Sequence, residues 1–441
     1  MKTLFITSFH PLISRNILAT PILDLLLRAG DIRIVVLVPQ QKAFFFEDEF
    51  RRPGVIIEGV ERRLTRLDAI FRYLFLALLA TRSIVIKRKT ELESSGQWLT
   101  YLIGGSGFWR RTIRRVDRWL TPRDRFRALI ARYRPDLVFA TDVQNESDVR
   151  LMHEARGWGI PVVGMVRSWD NLTSKGIIRV LPDLLLVNNE LVKREAVTLD
   201  DMPEGRIEVV GIPHYDFYVT EPRASREEFF RRIGADPAKR LILFTPTGDR
   251  YLRENIVDRE ILELLRDEAP QDSQFLLRYP PQDTVNLEGF VNDGRVLFDR
   301  ATTHGFSPRN TELTREADRH LADTLAHSVL VVSGPSTISI DAAVFDRPVI
   351  LTAFDGKRIR PYYESVRRYF DYEHQQPIIA SGGVQLCRGV DEFRQALAAY
   401  LKDPAKDHDG RERMVREQCW HMDGRSSQRV CEALLAFLQP S

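Results

Sequence analysis

The sequence predicts an α/β protein built from two parallel-sheet domains, and three observations lead to this fold class. Short apolar runs alternate with amphipathic helical stretches along the chain, which is the pattern of parallel strands joined by helices. The length of 441 residues suffices for two domains, since a domain usually has about 100–200 residues. An apolar fraction of 44% and a charged fraction of 28% are typical of a globular protein, so a disordered, collagenous or disulfide-stapled chain is excluded.

Short apolar runs in both halves of the chain are predicted to be buried strands. In the first half they are Lys2–Thr7, Ile32–Val38, Leu137–Ala140, Pro161–Val166, Leu184–Val187 and Ile207–Val210. In the second half they are Leu241–Thr245, Gln274–Arg278, Arg295–Phe298, Val329–Val332 and Val349–Leu351. The polar, proline-containing segment Thr220–Ser225 separates the two sets. We therefore predict a domain of residues 1–222 and a domain of residues 223–441, the latter ending in helices.

Composition also limits the compartment and the partners. The net charge is only +3, which does not favour a nucleic-acid-binding protein. The three cysteines (Cys387, Cys419 and Cys431) form no CxxC pair and no metal-ligand pattern, as expected in a reducing compartment. The first apolar run is shorter than the core of a secretory signal, and no run approaches the roughly 20 apolar residues of a spanning helix. We expect a cytoplasmic protein that binds no metal.

The charge is unevenly placed along the chain. Residues 61–134 contain 18 Lys and Arg against 6 Asp and Glu. Within this region, residues 108–119 form a basic helical pattern in which Phe108, Trp109, Ile113, Val116 and Trp119 are interleaved with arginine. Such a helix is typical of contact with an anionic membrane surface. The alternative is that the apolar residues belong to the domain core and the arginines form a solvated face.

Two nucleotide-binding signatures are absent from the sequence. The segment Gly104–Gly107 is not a GxGxxG fingerprint, because it follows no clear strand, and no GxxxxGK[ST] loop exists. Simple NAD enzymes and P-loop NTPases are therefore disfavoured. In open α/β sheets, ligands bind at the carboxyl ends of the strands. Four polar segments fall at such ends and are the candidate site: residues 167–176, 210–216, 243–250 and 331–350.

The segment of residues 331–350 suggests how a diphosphate could bind. A strand ends near Val332, Ser333 and Gly334 lie in the turn, and a helix is predicted to begin near Ser336. Free N–H groups at such a helix start suit a diphosphate, and the hydroxyls of Ser336 and Thr337 add donors. Asp341 on the same helix could accept from ribose hydroxyls. The alternative is an ordinary strand–turn–helix in which Ser336 caps the helix.

Taken in order, these segments resemble the CDP-glycerol glycerophosphotransferase (teichoic-acid polymerase) family and related glycosyltransferases of the two-domain GT-B fold. Family members typically read WHGTPLK, GTPRND, APT, RxHP, TDYSS and DGxxxxR. The corresponding stretches here are WDNLTSK (169–175), GIPHYD (211–216), TPT (245–247), RYPP (278–281), SGPST (333–337) and DGRSSQR (423–429). The resemblance covers roughly residues 160–438 and implies a donor site in the C-terminal domain with the acceptor in the N-terminal domain.

The resemblance, together with the strand-end positions, assigns roles to fifteen residues. We expect Asp170, which stands at the position of the WHG histidine, to be the catalytic base, with His10 as the second candidate. Acceptor contacts are expected from Trp169, Asn171 and Lys175. Donor contacts are expected from His214, Thr247, Arg278, Ser333, Gly334, Ser336, Thr337, Asp341, Ser426 and Ser427.

Two departures from the family pattern affect the predicted reaction. The WHG histidine is replaced by Asp170, and the RxHP histidine is lost at Tyr279–Pro280. The SGxST form of the fifth segment looks more like that of sugar transferases and UDP-sugar epimerases. We therefore expect a metal-independent glycosyltransferase that moves a sugar from a nucleotide-activated donor to a glycan or lipid-linked acceptor at the inner face of the membrane, without a cofactor. The alternatives are a CDP-polyol phosphotransferase and a non-catalytic glycan-assembly scaffold.

Overall fold

The computed structural model describes residues 1–61, 63–90, 97–252, 254–301, 303–305 and 311–438. Parts of the predicted basic region, Arg62 and residues 91–96, lie outside the described residues. Contacts divide the chain into two compact units. The N-terminal unit is formed by Met1–Val219 together with Trp420–Ser441, and the C-terminal unit is formed by Thr220–Cys419.

The strands form two main sheets. They are β1 (Lys2–Thr7), β2 (Ile32–Pro39), β3 (Val55–Val60), β4 (Leu137–Ala140), β5 (Val162–Met165), β6 (Leu184–Val187), β7 (Ile207–Val209), β8 (Arg240–Thr245), β9 (Ser273–Tyr279), β10 (Val296–Arg300), β11 (Thr303–Gly305), β12 (Thr311–Leu313), β13 (Leu330–Ser333), β14 (Val349–Thr352) and β15 (Val384–Cys387). The N-terminal sheet has the order β3-β2-β1-β4-β5-β6-β7, and the C-terminal sheet has the order β10-β9-β8-β13-β14-β15. Strands β11 and β12 form a separate antiparallel pair.

Helices connect the strands. They are α1 (Pro11–Ile13), α2 (Ile22–Ala29), α3 (Ala43–Phe50), α4 (Arg66–Ala77), α5 (Arg82–Thr90), α6 (Gln97–Ile103), α7 (Gly107–Leu120), α8 (Arg127–Tyr133), α9 (Glu146–Gly157), α10 (Asn171–Ser174), α11 (Glu190–Asp200), α12 (Asp216–Thr220), α13 (Arg226–Ile233), α14 (Val257–Glu268), α15 (Arg315–His327), α16 (Ile338–Val344), α17 (Arg367–Phe370), α18 (Gln375–Ala380), α19 (Val390–Lys402), α20 (His408–Gln418) and α21 (Ser426–Leu438).

Both main sheets are entirely parallel, as the alternating pattern predicts. Strands covered on both faces read as continuous apolar runs, and in β1 the side chains of Leu4, Phe5 and Ile6 are fully buried. Because parallel strands share one direction, their carboxyl ends lie at the same edge of the sheet. The polar segments of each unit therefore meet along that edge, which positions the candidate site.

The C-terminal end of the chain differs from the predicted domain division. Contacts place the first boundary after Val219, three residues before the predicted one, and assign the stretch from Trp420 onward to the N-terminal unit. Apolar side chains of α21, including Val430 and Leu434, pack in the same core as Ile22 of α2. The periodicity of a helix reports its apolar face but not the unit that this face covers, so the sequence analysis placed α21 in the C-terminal domain.

The longest apolar stretch of the sequence is a structural part of the N-terminal unit. It folds as α4 and α5, separated by a break at residues 78–81, and it buries Phe71, Phe75, Leu78 and Ile84 in a satellite core. None of the helices in the described parts of the chain combines the length and the apolar character needed to span a membrane.

Candidate functional site

In the C-terminal unit, two neighbouring strands end in hydroxyl residues that bind each other. Strand β8 ends at Thr245 and β13 ends at Ser333, and these residues are directly paired in the sheet. The Oγ1 atom of Thr245 donates to the Oγ atom of Ser333 over 2.7 Å. Ser333 is fully buried. This contact fixes the starting points of the two polar loops that follow.

The two loops approach each other at Gly334 and Thr247. A Cβ atom on Gly334 would lie only 2.3 Å from Thr247 Oγ1 and 3.4 Å from Thr247 Cα. A side chain at position 334 would therefore clash with the Thr247 side chain, which would have to move. The structure thus brings together Ser333, Gly334 and Thr247, three of the predicted donor-binding residues, and leaves their backbones close to one another.

Asp258 fixes the shape of the β8 loop. Its carboxylate accepts hydrogen bonds from Thr247 N at 2.8 Å, from Gly248 N at 2.9 Å and from Asn255 Nδ2 at 2.6 Å. Burial raises the pKa of Asp258, although these three donors oppose the shift. The sequence analysis missed this residue. An acid in the first turn of α14, shortly after a strand-end motif, was the available signal.

The remaining residues of the SGPST segment differ in accessibility. Ser336 is half-buried and its Oγ atom accepts from Ile338 N at 3.4 Å, while Thr337 is exposed and makes no capping bond through its side chain. Asp341 is 5% exposed, and its carboxylate contributes to the raised pKa of the buried Cys419 thiol. The expected ribose contact from Asp341 therefore falls on a buried side chain within α16.

Arg278 is placed differently from the expectation that it binds a diphosphate. Its Nη1 atom forms an ion pair with Asp299, and its Nη2 atom lies 3.5 Å from the carbonyl oxygen of Ala317. His320 Nε2 lies 3.0 Å from the other oxygen of Asp299. The guanidinium is thus held in a buried ion pair between β9 and β10. Arg278 does lie near the end of a strand, as predicted. Its partner, however, is Asp299, which is 21 residues further along the chain.

The DGRSSQR segment is also placed differently from the expectation. The backbone N–H groups of Ser426 and Ser427 donate to the two carboxylate oxygens of Asp216, at 2.9 and 2.7 Å. These N–H groups are the ones expected to bind phosphate, and both are occupied by a carboxylate within the N-terminal unit. Asp216 therefore has the structural role of holding the start of α21.

In the N-terminal unit, the loop after β5 carries the predicted acceptor residues. Asp170 pairs with Lys175 Nζ at 3.5 Å, and about a quarter of the Asp170 side chain is exposed. Asn171 is 1% exposed, and its Oδ1 atom accepts from Arg167 Nη2 at 3.4 Å. Trp169 is half-buried. The Asp170–Lys175 ion pair of this loop is thus partly exposed, whereas Asn171 is buried.

His10 follows β1 and acts as a local cap. Its Nδ1 atom accepts a hydrogen bond from Leu12 N at 3.2 Å, at the start of α1. Because Nδ1 accepts this hydrogen bond, the proton of the neutral ring is on Nε2. As held here, His10 is therefore a helix cap and not a proton acceptor.

A small notch opens at the carboxyl edge of the N-terminal sheet. Its lining combines apolar and polar side chains from the ends of four strands and from the turn after β1: Ile13, Asn16, Ile17, Thr141, Met165, Arg167, Asn188, Ile212, Pro213 and His214. Among the described residues, Arg167 Nε, Asn16 Oδ1 and Asn188 Oδ1 have no hydrogen-bond partner although they are buried. An unsatisfied buried donor or acceptor costs about 1–3 kcal/mol, so these three lining residues each carry a polar atom that the fold leaves unpaired.

His214 lies in this notch in the N-terminal unit, not beside the predicted donor loop of the C-terminal unit. Burial and, secondarily, the nearby Arg15 guanidinium hold the pKa of His214 well below its usual range, so the imidazole is neutral at pH 7. Its ring contacts Tyr215 with centroids 4.6 Å apart. Sequence reasoning did not single out Arg167 or Asn188, although each is a polar residue at the end of a strand.

One group of side chains among the described residues could hold a metal ion. It consists of His408, Asp409 and Glu412, all exposed on α20 in the C-terminal unit. His408 already pairs with Asp346 at 2.9 Å. Neither polar strand-end loop is part of this group.

The fold places the chain in a class of known structures. UDP-GlcNAc 2-epimerase from Neisseria meningitidis, solved with UDP-GlcNAc, is 15% identical, with 99% of this chain and all of that chain covered and a TM-score of 0.57. A glycosyltransferase from Rickettsia africae is 10% identical, with coverage of 100% and 99% and a TM-score of 0.52. The wall teichoic acid polymerase TagF, H548A, is 12% identical, with coverage of 99% and 88% and a TM-score of 0.50. The chain has the GT-B fold.

The family follows from the sequence match. The model of the family described as CDP-glycerol:poly(glycerophosphate) glycerophosphotransferase matches residues 179–436, more than half of the chain. The chain belongs to this family of transferases, as the motif order indicated. No curated protein sequence matches it significantly.

Proposed function

We propose that this protein transfers a sugar from a nucleotide-activated donor to a glycan acceptor associated with the membrane. The observation that carries the proposal is the close approach of Gly334 to Thr247 at adjacent strand ends of the C-terminal unit. The loop from Ser333 to Thr337 carries no large side chain. Its Gly334 lies beside the hydroxyl of Thr247. Membership of a transferase family described by a CDP-linked donor supports a nucleotide-activated donor, for sugar transfer and for the runner-up alike.

The donor diphosphate is proposed to bind to the SGPST loop. A diphosphate needs several N–H and O–H donors, and here the loop backbone, Ser336 and the exposed Thr337 supply them. Thr247 offers a further hydroxyl from the β8 loop, which Asp258 holds in place. These donors can stabilise the leaving diphosphate by hydrogen bonds, so the reaction is proposed to need neither a metal ion nor a cofactor.

The acceptor is proposed to bind to the N-terminal unit, with Asp170 as the base. The acceptor oxygen attacks the anomeric carbon, and the bond from that carbon to the donor diphosphate breaks. The nucleoside diphosphate leaves, and the acceptor proton passes to the Asp170 carboxylate. Lys175, which lies 3.5 Å from Asp170, orients this carboxylate, while Trp169 and Asn171 shape the loop.

The runner-up reaction is transfer of a polyol phosphate from a CDP-polyol, and the released nucleotide distinguishes the two reactions. Sugar transfer breaks the bond between carbon and the diphosphate, so it releases a nucleoside diphosphate. Polyol phosphate transfer breaks the phosphoanhydride bond and releases a nucleoside monophosphate. Absence of the two family histidines, at Asp170 and at Tyr279–Pro280, favours sugar transfer.

The test begins with calorimetric titration of nucleoside diphosphates, nucleotide sugars and CDP-glycerol. The nucleotide that binds is then incubated with membranes that contain glycan acceptors, and the released nucleotide is identified by chromatography. Release of a nucleoside diphosphate supports sugar transfer, and release of CMP supports the runner-up. Failure of every nucleotide to bind to the folded protein would favour a non-catalytic scaffold.

Replacing both hydroxyls of the donor loop is expected to weaken nucleotide binding. The Ser336→Ala, Thr337→Ala double variant loses hydrogen bonds to a charged group, each of which contributes about 1.5–3 kcal/mol. We expect the dissociation constant to rise roughly tenfold or more. Calorimetry measures it directly, with Ser381→Ala as a control in the same unit. An unchanged affinity in the folded double variant would contradict this placement of the diphosphate.

Removal of divalent cations is expected to leave turnover unchanged. The loop donors take the place of a cation at the diphosphate, so treatment with EDTA followed by gel filtration should have no effect. The assay compares the initial rate before and after treatment, and then after Mg²⁺ is added back. A loss that Mg²⁺ restores would show that the donor diphosphate is bound through a metal ion.

A further inference from the structure

The helix α7 is attached to the N-terminal unit by its charged side chains. Arg110 Nη2 contacts Asp201 Oδ1 at 2.7 Å, and Arg114 Nη2 donates to the carbonyl oxygen of Asp200 at 2.7 Å. Asp117 is fully buried and accepts from Arg179 Nη2 at 2.8 Å. The face of α7 that packs on the protein is therefore mainly ionic, with Ile113 beside it against the satellite core.

The opposite side of α7 carries large apolar residues in solvent. Trp119 is 84% exposed, and the other exposed apolar residues of α7 are Phe108, Trp109, Val116 and Leu120. The preceding helix, α6, adds Trp98, Tyr101 and Leu102, each about two-thirds exposed. We call these eight residues the aromatic face. An ordinary surface helix turns its apolar side inward, so the alternative that the apolar residues of this helix belong to the core does not hold for Phe108, Trp109, Val116 and Trp119. It holds only for Ile113, which packs against the satellite core. Exposed apolar patches of this kind mark contact with another surface.

Basic side chains flank the aromatic face. Arg111, Arg115 and Arg118 of α7 are exposed between Trp109 and Trp119. Around them, the region of residues 61–134 has an excess of 12 positive charges. The surface that complements this face must therefore offer both apolar material and dense negative charge.

We propose that the aromatic face inserts into the headgroup region of an anionic lipid bilayer and holds the protein there. Trp and Tyr favour the interface between headgroups and acyl chains, and each Lys or Arg near an anionic leaflet contributes about 1 kcal/mol. The short helices α6 and α7 lie along the surface and do not cross it. This inference specifies the membrane location contained in the proposed function and does not depend on the transfer reaction.

A bilayer fits this face better than a protein does. The core of a protein–protein interface is depleted of charged residues, whereas here a stripe of exposed arginines runs directly beside the tryptophans. A second copy of the chain would bring the same positive charges together. At a bilayer, the long arginine side chains reach the lipid phosphates while the rings stay among the upper acyl segments.

The experiment is flotation of the purified full-length chain with vesicles of phosphatidylcholine, with or without phosphatidylglycerol. We expect the protein to float with anionic vesicles at low salt and to dissociate partly at high salt. The Trp98→Ser, Trp119→Ser double variant should partition at least about tenfold less into anionic vesicles. The Arg111→Gln, Arg115→Gln, Arg118→Gln triple variant should lose binding to anionic vesicles and most of its salt dependence.

Trp158→Ser is the matched control. Trp158 is half-exposed in the same unit, at the end of α9 and outside the aromatic face, so its replacement should leave partition unchanged. Brominated lipids add a direct readout, because they should quench the fluorescence of Trp98 and Trp119 on binding. Nucleotide titration of each variant keeps this inference separate from the proposed function, since loss of flotation should leave nucleotide affinity unchanged.

Several results would overturn the inference. They are failure of the folded wild type to float, equal partition of the aromatic-face and Trp158 variants, and binding to neutral and anionic vesicles without a salt effect. Sedimentation that shows a dimer in the wild type and a monomer in the double tryptophan variant would instead assign the aromatic face to a second copy of the chain.

Discussion

Asparagine in place of Asp170 is expected to lower turnover by about 10²–10⁴-fold, the range for loss of a general base. The substitution keeps the shape of the side chain and its polarity, but it removes the group that we propose to take the acceptor proton. The donor is proposed to bind to the C-terminal unit, so the nucleotide dissociation constant should stay within about twofold of the wild-type value. Single-turnover rates and calorimetry, measured on the same preparation, separate the two effects.

The control for this variant is Asp48→Asn on α3, where the aspartate is exposed and away from the β5 loop. It should have wild-type turnover. If Asp170→Asn retains turnover within about threefold of wild type, the Asp170–Lys175 pair is structural. The same assay on His214→Gln and His10→Gln would then locate the base, because His214 is neutral at pH 7 and lies in a notch with unsatisfied polar atoms.

Asparagine in place of Asp117 is expected to lower the free energy of unfolding by about 3–5 kcal/mol, because it leaves the buried Arg179 without its main partner. Burial alone would raise the pKa of Asp117, but hydrogen bonds from His153 and Arg179 outweigh burial and lower it to about 2. The folded pKa is thus below the unfolded one, so this stabilisation is present above about pH 4 and is lost as the pH falls toward 2. Urea unfolding followed by circular dichroism measures the loss.

The control is Asp124→Asn, an exposed position just beyond α7, where a surface substitution changes stability by less than about 0.5 kcal/mol. The wild type should lose stability between pH 4 and pH 2 more steeply than Asp117→Asn. A destabilisation below about 1 kcal/mol would mean that the ionic face of α7 contributes little to holding the helix on the unit.

The strands that the sequence analysis missed have a common physical reason. In the main sheets they are β3 and β15, which lie at sheet edges and have a polar residue, Glu58 or Gln385, within the apolar run; the other edge strands, β7 and β10, were predicted. Only part of each edge strand is buried, so Val55–Val60 and Val384–Cys387 do not read as continuous apolar runs. The central strands, buried on both faces, were predicted to within a few residues.

The contacts of the candidate site residues also differ in whether the sequence could predict them. The proximity of Ser333, Gly334 and Thr247 was predictable, because each lies at the end of a buried strand or within two residues of it, and the two strands are neighbours. The partners of Arg278 and of the Ser426–Ser427 turn were not predictable, since Asp299 and Asp216 are 21 and 210 residues away in the chain. A charged side chain at a strand end looks the same in a sequence whether it binds a ligand or another residue.

The position of α21 determines the order in which the two units can fold during synthesis. The C-terminal unit is one continuous stretch, Thr220–Cys419, whereas the N-terminal unit needs both ends of the chain. Until α21 has left the ribosome, the core around Ile22 lacks Val430 and Leu434. The C-terminal unit can therefore complete its folding before the N-terminal unit does. Until then, the apolar face of the N-terminal unit that α21 covers is exposed. Truncation before Ser426 should in consequence yield a chain whose N-terminal half recruits chaperones or aggregates.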